Sequence, residues 1–323
     1  MQIVIVSPAL ADANNGNWRT ANRWRHFLGP LGCVRVVSSW PDDDSASDDV
    51  MLALHARRSA EAIRAWHENR GCRGLGVVMT GTDLHHDIHV SKDAQDSLTR
   101  AAGIVVLHER GIACLPEAIR PKARVILQSA ASRAQRIKTN HHLTAVVVGH
   151  LRAEKSPETI FALARRIHDT AGIRLIHIGR ALDPSLARCA DDTMQACPSY
   201  RWRGAIPHKN VRDAIQRAHL LIHPSRMEGG ANAVIEAITS GTPVLASAVD
   251  GNIGLLGEDY PGYFPWGDAE KLARLILRIR QEQMGDNTLL RRLLLATAKR
   301  ATLFQPEREA HQVRRWVSDL LDV

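Results

Sequence analysis

The chain has 323 residues, of which 45% are hydrophobic and 24% charged, which is typical of a soluble globular protein with two domains. A net charge of +8 with only 4% aromatic residues argues against a nucleic-acid partner and favours small phosphorylated ligands. No apolar run approaches the roughly 18 residues that span a membrane, and the N-terminus lacks a basic signal-peptide start, so we expect a cytoplasmic protein without a membrane partner.

The first half of the chain alternates short apolar runs with amphipathic segments. Amphipathic helices are predicted at 17–28 and 56–68, and buried strands at 3–6, 34–37, 50–54, 75–79, 104–107 and 124–127. Strand followed by helix, repeated, predicts parallel strand pairing with crossover helices on both faces of the sheet.

A polar, basic linker is predicted at 132–143, and a second series of strands and helices follows it. Strands are predicted at 144–149, 173–179, 218–223 and 242–247, and helices from about Pro157, Pro184 and Ala231, then over 268–300 and 305–321. We therefore predict two doubly wound α/β domains, 1–140 and 141–305, with a last helix, 306–323, that packs back on the first. Ligands of such sheets bind beyond the carboxyl ends of the strands, so we expect the site in the cleft between the domains.

The five cysteines are an odd number and contain no C-x-x-C pair, which suits neither a disulfide framework nor a zinc site. We expect reduced thiols that mostly fill the core, and neither a metal nor a cofactor.

Two glutamates, Glu228 and Glu236, flank a glycine pair in the segment HPSRMEGGANAVIEA. The segment connects a predicted strand to a predicted helix, so Gly229 and Gly230 would let a ligand approach free peptide N–H groups, an arrangement suited to phosphate. Glu236 lies about a turn and a half inside the helix, so the two carboxylates cannot form an adjacent acid and base pair. We predict that they contact different parts of one elongated ligand.

This segment, followed by SGTPVLAS, resembles the E-x7-E signature of retaining GT-B glycosyltransferases of the family 4 type. Members of that family join two Rossmann-like domains around a cleft, bind a nucleotide-sugar mainly on the C-terminal domain and need no metal. The resemblance implies that Glu236 binds the ribose hydroxyls and that Glu228 lies against the donor sugar. It also implies that four backbone amides meet the diphosphate and the sugar hydroxyls: those of Gly229, Gly230, Ala231 and Asn232.

The segment VVVGHLRAEKSP (146–157) resembles the family pattern G-R-L-x-x-E-K, whose arginine and lysine neutralise the departing diphosphate. Gly149, Leu151, Glu154 and Lys155 match this pattern, but His150 occupies the arginine position. Either Arg152 takes over the phosphate role, or His150 acts as a cation at the donor. We predict the pair Arg152 and Lys155.

Two weaker resemblances complete the donor site. YRWRGAIPHKNV (200–211) is similar to the family segment whose backbone recognises the base, here at Gly204 to Ile206. NNGNW (14–18) matches the N-terminal glycine loop, where Gly16 and Asn17 would approach the diphosphate and the acceptor.

The whole chain resembles one subfamily, the selenosugar synthases of selenoneine biosynthesis. The resemblance rests on IVSPALADANNGNWRTANRW, LHARRSA, TGTDLHHDI, LQSA, RMEGGANAVIEA and DGNIGLLGEDYPGYFPWGDA. It implies transfer of N-acetylglucosamine or glucose from a UDP-sugar to the selenium of selenophosphate, giving a 1-selenosugar, beside the other enzymes of that pathway.

Two loops contain the residue types that a small dianionic acceptor needs. LHARRS (54–59) and MTGTDL (79–84) each follow a predicted strand, and we expect both to face the cleft. The predicted acceptor residues are His55, Arg57, Arg58, Thr80, Gly81, Thr82 and Asp83. Family members often have a histidine at the position of Thr82, near the donor sugar. Its absence argues against a generic sugar hydroxyl as acceptor. Alternatively, His55 or Asp83 takes the role of that histidine.

Two other functions stay open. The first is a glycosyltransferase with a conventional hydroxyl acceptor, a glycan or a lipid, since the basic and aromatic segment 17–28 is typical of membrane-acting relatives. The second is a non-enzymatic nucleotide or nucleic-acid binder that uses the positive charge. Binding of nucleic acid does not explain Glu228 and Glu236, because carboxylates that face phosphate do not favour such a ligand.

Overall fold

The computed structural model describes residues 1–10, 16–283, 285 and 288–322. Asn14 and Asn15 of the predicted glycine loop lie outside the described residues. The chain folds into two compact units. The first comprises Met1–Ser129, Glu228–Ala231 and Gln305–Val323, and the second comprises Ala130–Met227 and Asn232–Phe304.

The first unit is built on a six-stranded parallel sheet in the order β2-β1-β3-β4-β5-β6. The strands are β1 (Gln2–Val6), β2 (Cys33–Val37), β3 (Val50–Leu54), β4 (Leu75–Val78), β5 (Gly103–Val106) and β6 (Ala123–Val125). The helices are α1 (Gly16–Leu28), α2 (Ala60–Arg70), α3 (Ile88–Val90), α4 (Lys92–Arg100) and the last helix of the chain, α12 (Pro306–Asp319).

Alternate residues of each central strand enter two different hydrophobic cores. Val4 of β1 packs in the core that contains α2 and α4, whereas its neighbours Ile3 and Ile5 pack against α1 and α12. Successive side chains of a strand point to opposite faces, so a sheet covered on both faces needs apolar residues at every position. This explains why the strands appear in the sequence as continuous apolar runs.

The last helix is fixed to the first unit by a buried carboxylate. Glu309 accepts hydrogen bonds from Arg23 Nε (2.9 Å), Trp24 Nε1 (2.7 Å), and both the backbone N (2.6 Å) and Oγ (2.5 Å) of Ser129. On the same helix, Trp316 packs edge-on against Trp24, with ring centroids 6.0 Å apart. One side chain therefore joins α12, α1 and the segment that follows β6.

We expect Glu309→Ala to lower the free energy of unfolding by about 3 kcal/mol, because four donors lose a buried acceptor at once. Urea denaturation measures this change. Glu307→Ala, at an exposed position of the same helix, is the matched control and should shift stability by less than about 0.5 kcal/mol. Equal effects of the two substitutions would contradict the proposed importance of the carboxylate.

The second unit also has a six-stranded parallel sheet, in the order β12-β11-β10-β7-β8-β9. The strands are β7 (Leu143–Val148), β8 (Ile173–Ile178), β9 (Tyr200–Trp202), β10 (Leu220–His223), β11 (Val244–Ser247) and β12 (Tyr263–Phe264). The helices are α5 (Pro157–Ile167), α6 (Pro184–Ala196), α7 (His208–Arg217), α8 (Asn232–Ile238), α9 (Asp250–Leu256), α10 (Ala269–Glu282) and α11 (Leu289–Arg300). Two α/β units with parallel sheets confirm the predicted fold class.

Three features differ in detail from the expectations. The helical run predicted at 268–300 is two helices, and Thr288 caps the second by accepting from Arg291 N. The segment predicted as a linker is part of the second unit, where Arg133 pairs with Asp213 at 2.7 Å. The expectation that most cysteines fill the core was wrong, since Cys33 and Cys189 are exposed and only Cys197 is buried. None of the described helices has both the length and the hydropathy needed to cross a bilayer.

Candidate functional site

The predicted donor residues of the second unit lie at one edge of its sheet. Because all its strands are parallel, their carboxyl ends meet at the same edge. Gly149 follows β7 there, Gly204 follows β9, and the segment that leads to Glu228 follows β10. Gly204 has φ +62°, a left-handed conformation that glycine adopts without strain. The fold thus brings three segments of the predicted donor site to one edge.

The segment after β7 forms a compact turn that ends in Lys155. Residues Ala153–Lys155 form a 3-10 turn, and Ser156 follows with φ +47° before α5 begins. The backbone N of Arg226 donates to Glu154 O at 2.9 Å and so connects this turn to the chain after β10. The methylene groups of Lys155 lie against Gly149, where a Cβ would be 3.5 Å from the Lys155 Cγ and Cδ. The backbone and stem of Lys155 are therefore held by packing.

His150 is engaged by the backbone. Its Nδ1 accepts a hydrogen bond from the backbone N of Arg180 at 3.1 Å. A ring nitrogen that accepts this bond carries no proton, so the imidazole is neutral in this arrangement. Arg152 is partly exposed and lies 3.7 Å from Glu154. The choice of Arg152 over His150 as the cation that accompanies Lys155 stays a prediction.

A short hydrogen bond joins the predicted base and ribose segments. His208 Nε2 donates to Glu236 Oε1 at 2.6 Å. His208 begins α7, one residue beyond the segment Gly204–Ile206, while Glu236 lies buried on α8. His208 was missed in the sequence, because its contact with Glu236 arises only when the two helices pack together. The structure thereby fixes the direction of the Glu236 carboxylate.

In the first unit, the segment Glu228–Ala231 packs against the predicted acceptor loop. A Cβ placed on Gly229 would lie 1.3 Å from Thr80 O, and one placed on Gly81 would lie 3.2 Å from Gly229 N. His85 Nε2 donates to the backbone O of Glu228 at 2.8 Å. Only glycine allows this close approach at position 229, so the predicted sugar-contacting and acceptor residues come into direct contact.

The two predicted acceptor loops of the first unit are joined by a buried carboxylate. Asp83 Oδ2 accepts from the backbone N of Ala56 at 3.0 Å, and Oδ1 accepts from Thr80 N and Thr80 Oγ1, each at 2.8 Å. His55 is buried with φ +74°, and its Nε2 lies 3.0 Å from Thr82 Oγ1. Asp83, with three hydrogen bonds, therefore holds the loops in place rather than offering a free carboxylate.

The predicted acceptor cations differ from each other in their surroundings. Both arginines are exposed, and Arg57 Nε donates to Asp87 Oδ2 at 2.8 Å. Burial alone would raise the pKa of Asp87, but the hydrogen bonds from Arg57 and His86 and the Arg57 charge hold it below its ordinary value. The pKa of His55 is lowered by burial, although the nearby Asp83 carboxylate opposes this effect.

Gly16 and Asn17, which the sequence predicts to contact the donor, form the first residues of α1.

Two polar residues at the same edge of the first sheet were not predicted as site residues. His108 comes two residues after β5 ends, and Gln128 follows β6 by three residues. The side-chain amide of Gln128 lies 2.5 Å from where a Cβ on Gly230 would be. Their positions could have identified them, because each is the first polar residue after an apolar strand run, as His55 and Thr80 are.

We expect the protein to lose stability as the pH falls from 7 to 5. Burial lowers the pKa of His108 to about 3 and that of His177 to about 4, against an ordinary value of 6.5. Because the unfolded chain binds these protons first, the stability is fully present above pH 6.5 and is lost below it, by about 2 kcal/mol per histidine at pH 5. Urea unfolding at pH 7, 6 and 5 measures this. An unfolding free energy that stays constant over this range would contradict the expectation.

Comparisons with known proteins identify the family of this chain. The family model "Glycosyl transferases group 1" matches residues 129–293. "Glycosyltransferase 1 domain-containing protein 1" of Xenopus tropicalis is 22% identical in an alignment that covers 89% of each chain.

Two solved structures of similar length share the fold. The sucrose-phosphate synthase of Thermosynechococcus elongatus superposes with a TM-score of 0.77 at 17% identity, covering 99% of both chains. Anabaena HepE, in complex with UDP and glucose, has a TM-score of 0.73 at 13% identity, covering 99% of this chain and 100% of HepE. These structures establish the GT-B fold, and the family match extends over just over half of the chain. The chain therefore belongs to the glycosyl transferases group 1 family.

Proposed function

We propose that this glycosyltransferase is a selenosugar synthase, which transfers a sugar from a UDP-sugar to the selenium of selenophosphate. The observation that carries the proposal is the contact between the Glu228–Ala231 segment and the loop at Thr80 and Gly81. This contact supports the proposal, because backbone atoms of Glu228, which we assign to the sugar, would lie within 4 Å of a Cβ on Gly81, which we assign to the acceptor. Such a short separation suits a small acceptor better than a long glycan.

The donor half of the proposal rests on the residues at the edge of the second sheet. We assign the ribose hydroxyls to Glu236, whose carboxylate is oriented by His208, and the base to the backbone of Gly204–Ile206. The diphosphate is assigned to Lys155 and Arg152, with the peptide N–H groups of Gly229–Asn232. A similar fold in HepE, in its complex with UDP and glucose, supports a UDP-sugar as the donor.

The reaction needs charge stabilisation more than proton transfer. The selenium of selenophosphate is an ionised, soft nucleophile at neutral pH, so it attacks the anomeric carbon without a general base. As the selenium–carbon bond forms, the bond from that carbon to the UDP oxygen breaks, and its electron pair leaves with UDP. Lys155 and Arg152 neutralise this charge, while Glu228 offsets the positive charge that develops on the sugar. Water then cleaves the phosphorus–selenium bond, which releases phosphate and the 1-selenosugar.

The acceptor half rests on the two loops that Asp83 joins. Arg58 supplies an exposed positive charge, and the Thr80 and Thr82 hydroxyls with the Gly81 backbone supply hydrogen-bonding groups. His55 and Arg57 complete this set, although Arg57 shares its charge with Asp87. Holding two anionic substrates in a reactive orientation supplies the remaining rate acceleration. In this proposal the enzyme acts in the cytoplasm, without a metal or cofactor, beside the other enzymes of selenoneine biosynthesis.

Mass spectrometry of reaction products tests the proposal. The purified protein is incubated with UDP-N-acetylglucosamine or UDP-glucose, together with either selenophosphate or a hydroxyl acceptor such as glycerol. We expect UDP and a product with the selenium isotope pattern at the mass of a 1-selenosugar. A product formed only with the hydroxyl acceptor would instead support a conventional glycosyltransferase, and the absence of UDP release in both reactions would support a non-enzymatic binder.

A further inference from the structure

His108 is a buried histidine whose ring has no hydrogen-bond partner within the described part of the chain. Its side chain is fully buried, and neither ring nitrogen has a hydrogen-bond partner among the residues that the structure describes. Buried polar groups of native proteins are nearly always paired, because an unpaired donor or acceptor opposes folding. A histidine in this state at a strand end therefore needs a partner from outside the chain, either a water molecule or a ligand group.

The surroundings of His108 place it beside the Glu228–Ala231 segment. Its ring stacks on His85, with centroids 5.6 Å apart and an interplanar angle of 15°. The Nε2 of His85 is already committed, because it donates to Glu228 O at 2.8 Å. Leu107, the residue before His108, lies 3.0 Å from where a Cβ on Gly230 would be. His108 therefore lies next to the segment that carries the sugar-facing glutamate of the proposed site.

Other polar side chains at this edge are paired within the protein. His55 lies within hydrogen-bond distance of Thr82, and Asp83 accepts three hydrogen bonds from neighbouring residues. These groups need no further partner to be satisfied. His108 is different, since neither of its ring nitrogens has a hydrogen-bond partner among the described residues.

The protonation state of His108 defines the chemistry of that ligand. Burial, together with the charges of His85 and Arg110, lowers the pKa of His108, although Glu228 opposes the shift. A neutral imidazole has one N–H donor and one nitrogen acceptor. A hydroxyl group can both accept and donate, whereas a fully ionised phosphate oxygen can only accept. A hydroxyl is therefore the better match.

We propose that His108 is a substrate-binding residue that forms a hydrogen bond with a hydroxyl group of the bound substrate. The proposal rests on the proposed transferase function. The hydroxyl comes either from the sugar that is transferred or from a hydroxyl-bearing acceptor, and the two sources predict different losses of binding.

Titration calorimetry of His108→Phe tests the first source, because phenylalanine keeps a flat ring but removes both nitrogens. UDP and UDP-glucose are titrated separately into the wild type and the variant. If the sugar supplies the hydroxyl, UDP affinity stays unchanged while UDP-glucose affinity falls about tenfold. A UDP-glucose analogue that lacks the paired hydroxyl should then bind both proteins equally.

The second source is tested with the acceptor. If a hydroxyl acceptor supplies the group, UDP-glucose affinity stays unchanged, while the acceptor KM of the variant rises about tenfold. Unchanged donor affinity and unchanged acceptor KM would overturn the proposal. So would an equal loss for UDP and UDP-glucose, because the effect would then concern the nucleotide or the fold. The calorimetric arm needs no acceptor, so it remains decisive even if selenophosphate is not a substrate.

A matched control separates binding from packing. His67 on α2 also has a buried ring nitrogen, Nδ1, without a partner among the described residues. His67→Phe should leave both titrations unchanged. Replacing an unpaired buried polar group by an apolar ring of similar shape is nearly neutral or stabilising, so His108→Phe should keep the wild-type Tm or raise it. Weaker binding of the sugar or the acceptor, with an unchanged or higher Tm, would support a binding role for His108. A lower Tm, with binding losses explained by unfolded protein, would overturn the proposal.

Discussion

Lys155→Ala is expected to lower kcat/KM by about 10²–10³, which is typical for the loss of one group that stabilises charge in a transition state. The ammonium group is assigned to the departing diphosphate, where negative charge accumulates as the sugar bond breaks. The turn Ala153–Lys155 and the methylene contacts with Gly149 position this charge. The substitution should remove the charge but leave the fold intact.

Steady-state kinetics of UDP release measure the effect, together with the Tm of the variant. Lys271→Ala is the matched control, because Lys271 is exposed on α10 and has no assigned role. We expect near-normal activity for the control and partial recovery for Lys155→Arg, which keeps the positive charge. Near-normal activity of Lys155→Ala would remove Lys155 from the site.

Gly229→Ala is expected to lower kcat/KM by at least about 10²-fold, since a displacement of about 1 Å can have this effect. The new Cβ would lie 1.3 Å from Thr80 O and 2.2 Å from Thr80 C, so the backbone must move. That movement displaces Glu228, the neighbouring residue that we assign to the sugar. We also expect the free energy of unfolding to fall by about 1–3 kcal/mol, as in other overpacked sites.

Kinetics and urea denaturation of the same preparation separate the two effects. Gly29→Ala is the control, because a Cβ on Gly29 meets no atom within 4 Å. It should leave both activity and stability close to those of the wild type. An active Gly229→Ala protein would show that the contact with Thr80 is not needed for the reaction.

Much of the fold was predictable because the central strands are apolar on both faces. Runs such as IVIV (3–6) are typical of a strand covered by helices on both sides. The strands β9 and β12 were not predicted, since they have only three and two residues and depend on pairing with longer neighbours. The break between α10 and α11 lies in sequence without proline, where helical periodicity continues on both sides.

The positions of the candidate site residues were predictable where polar or charged residues come directly after a predicted strand. Glu236, Lys155 and Thr80 all lie in segments that directly follow parallel strands or begin the next helix. The pairing of these residues could not be predicted, because it depends on tertiary distances. The bond from His208 to Glu236 joins residues 28 positions apart, and Asp83 reaches Ala56 across 27 positions.

The position of bound UDP tests the central claim of this account most directly. A crystal structure with UDP should place the ribose hydroxyls within hydrogen-bond distance of the Glu236 carboxylate and the diphosphate within hydrogen-bond distance of the Lys155 ammonium group. UDP bound elsewhere, with both side chains out of its reach, would contradict the assignment of the donor site.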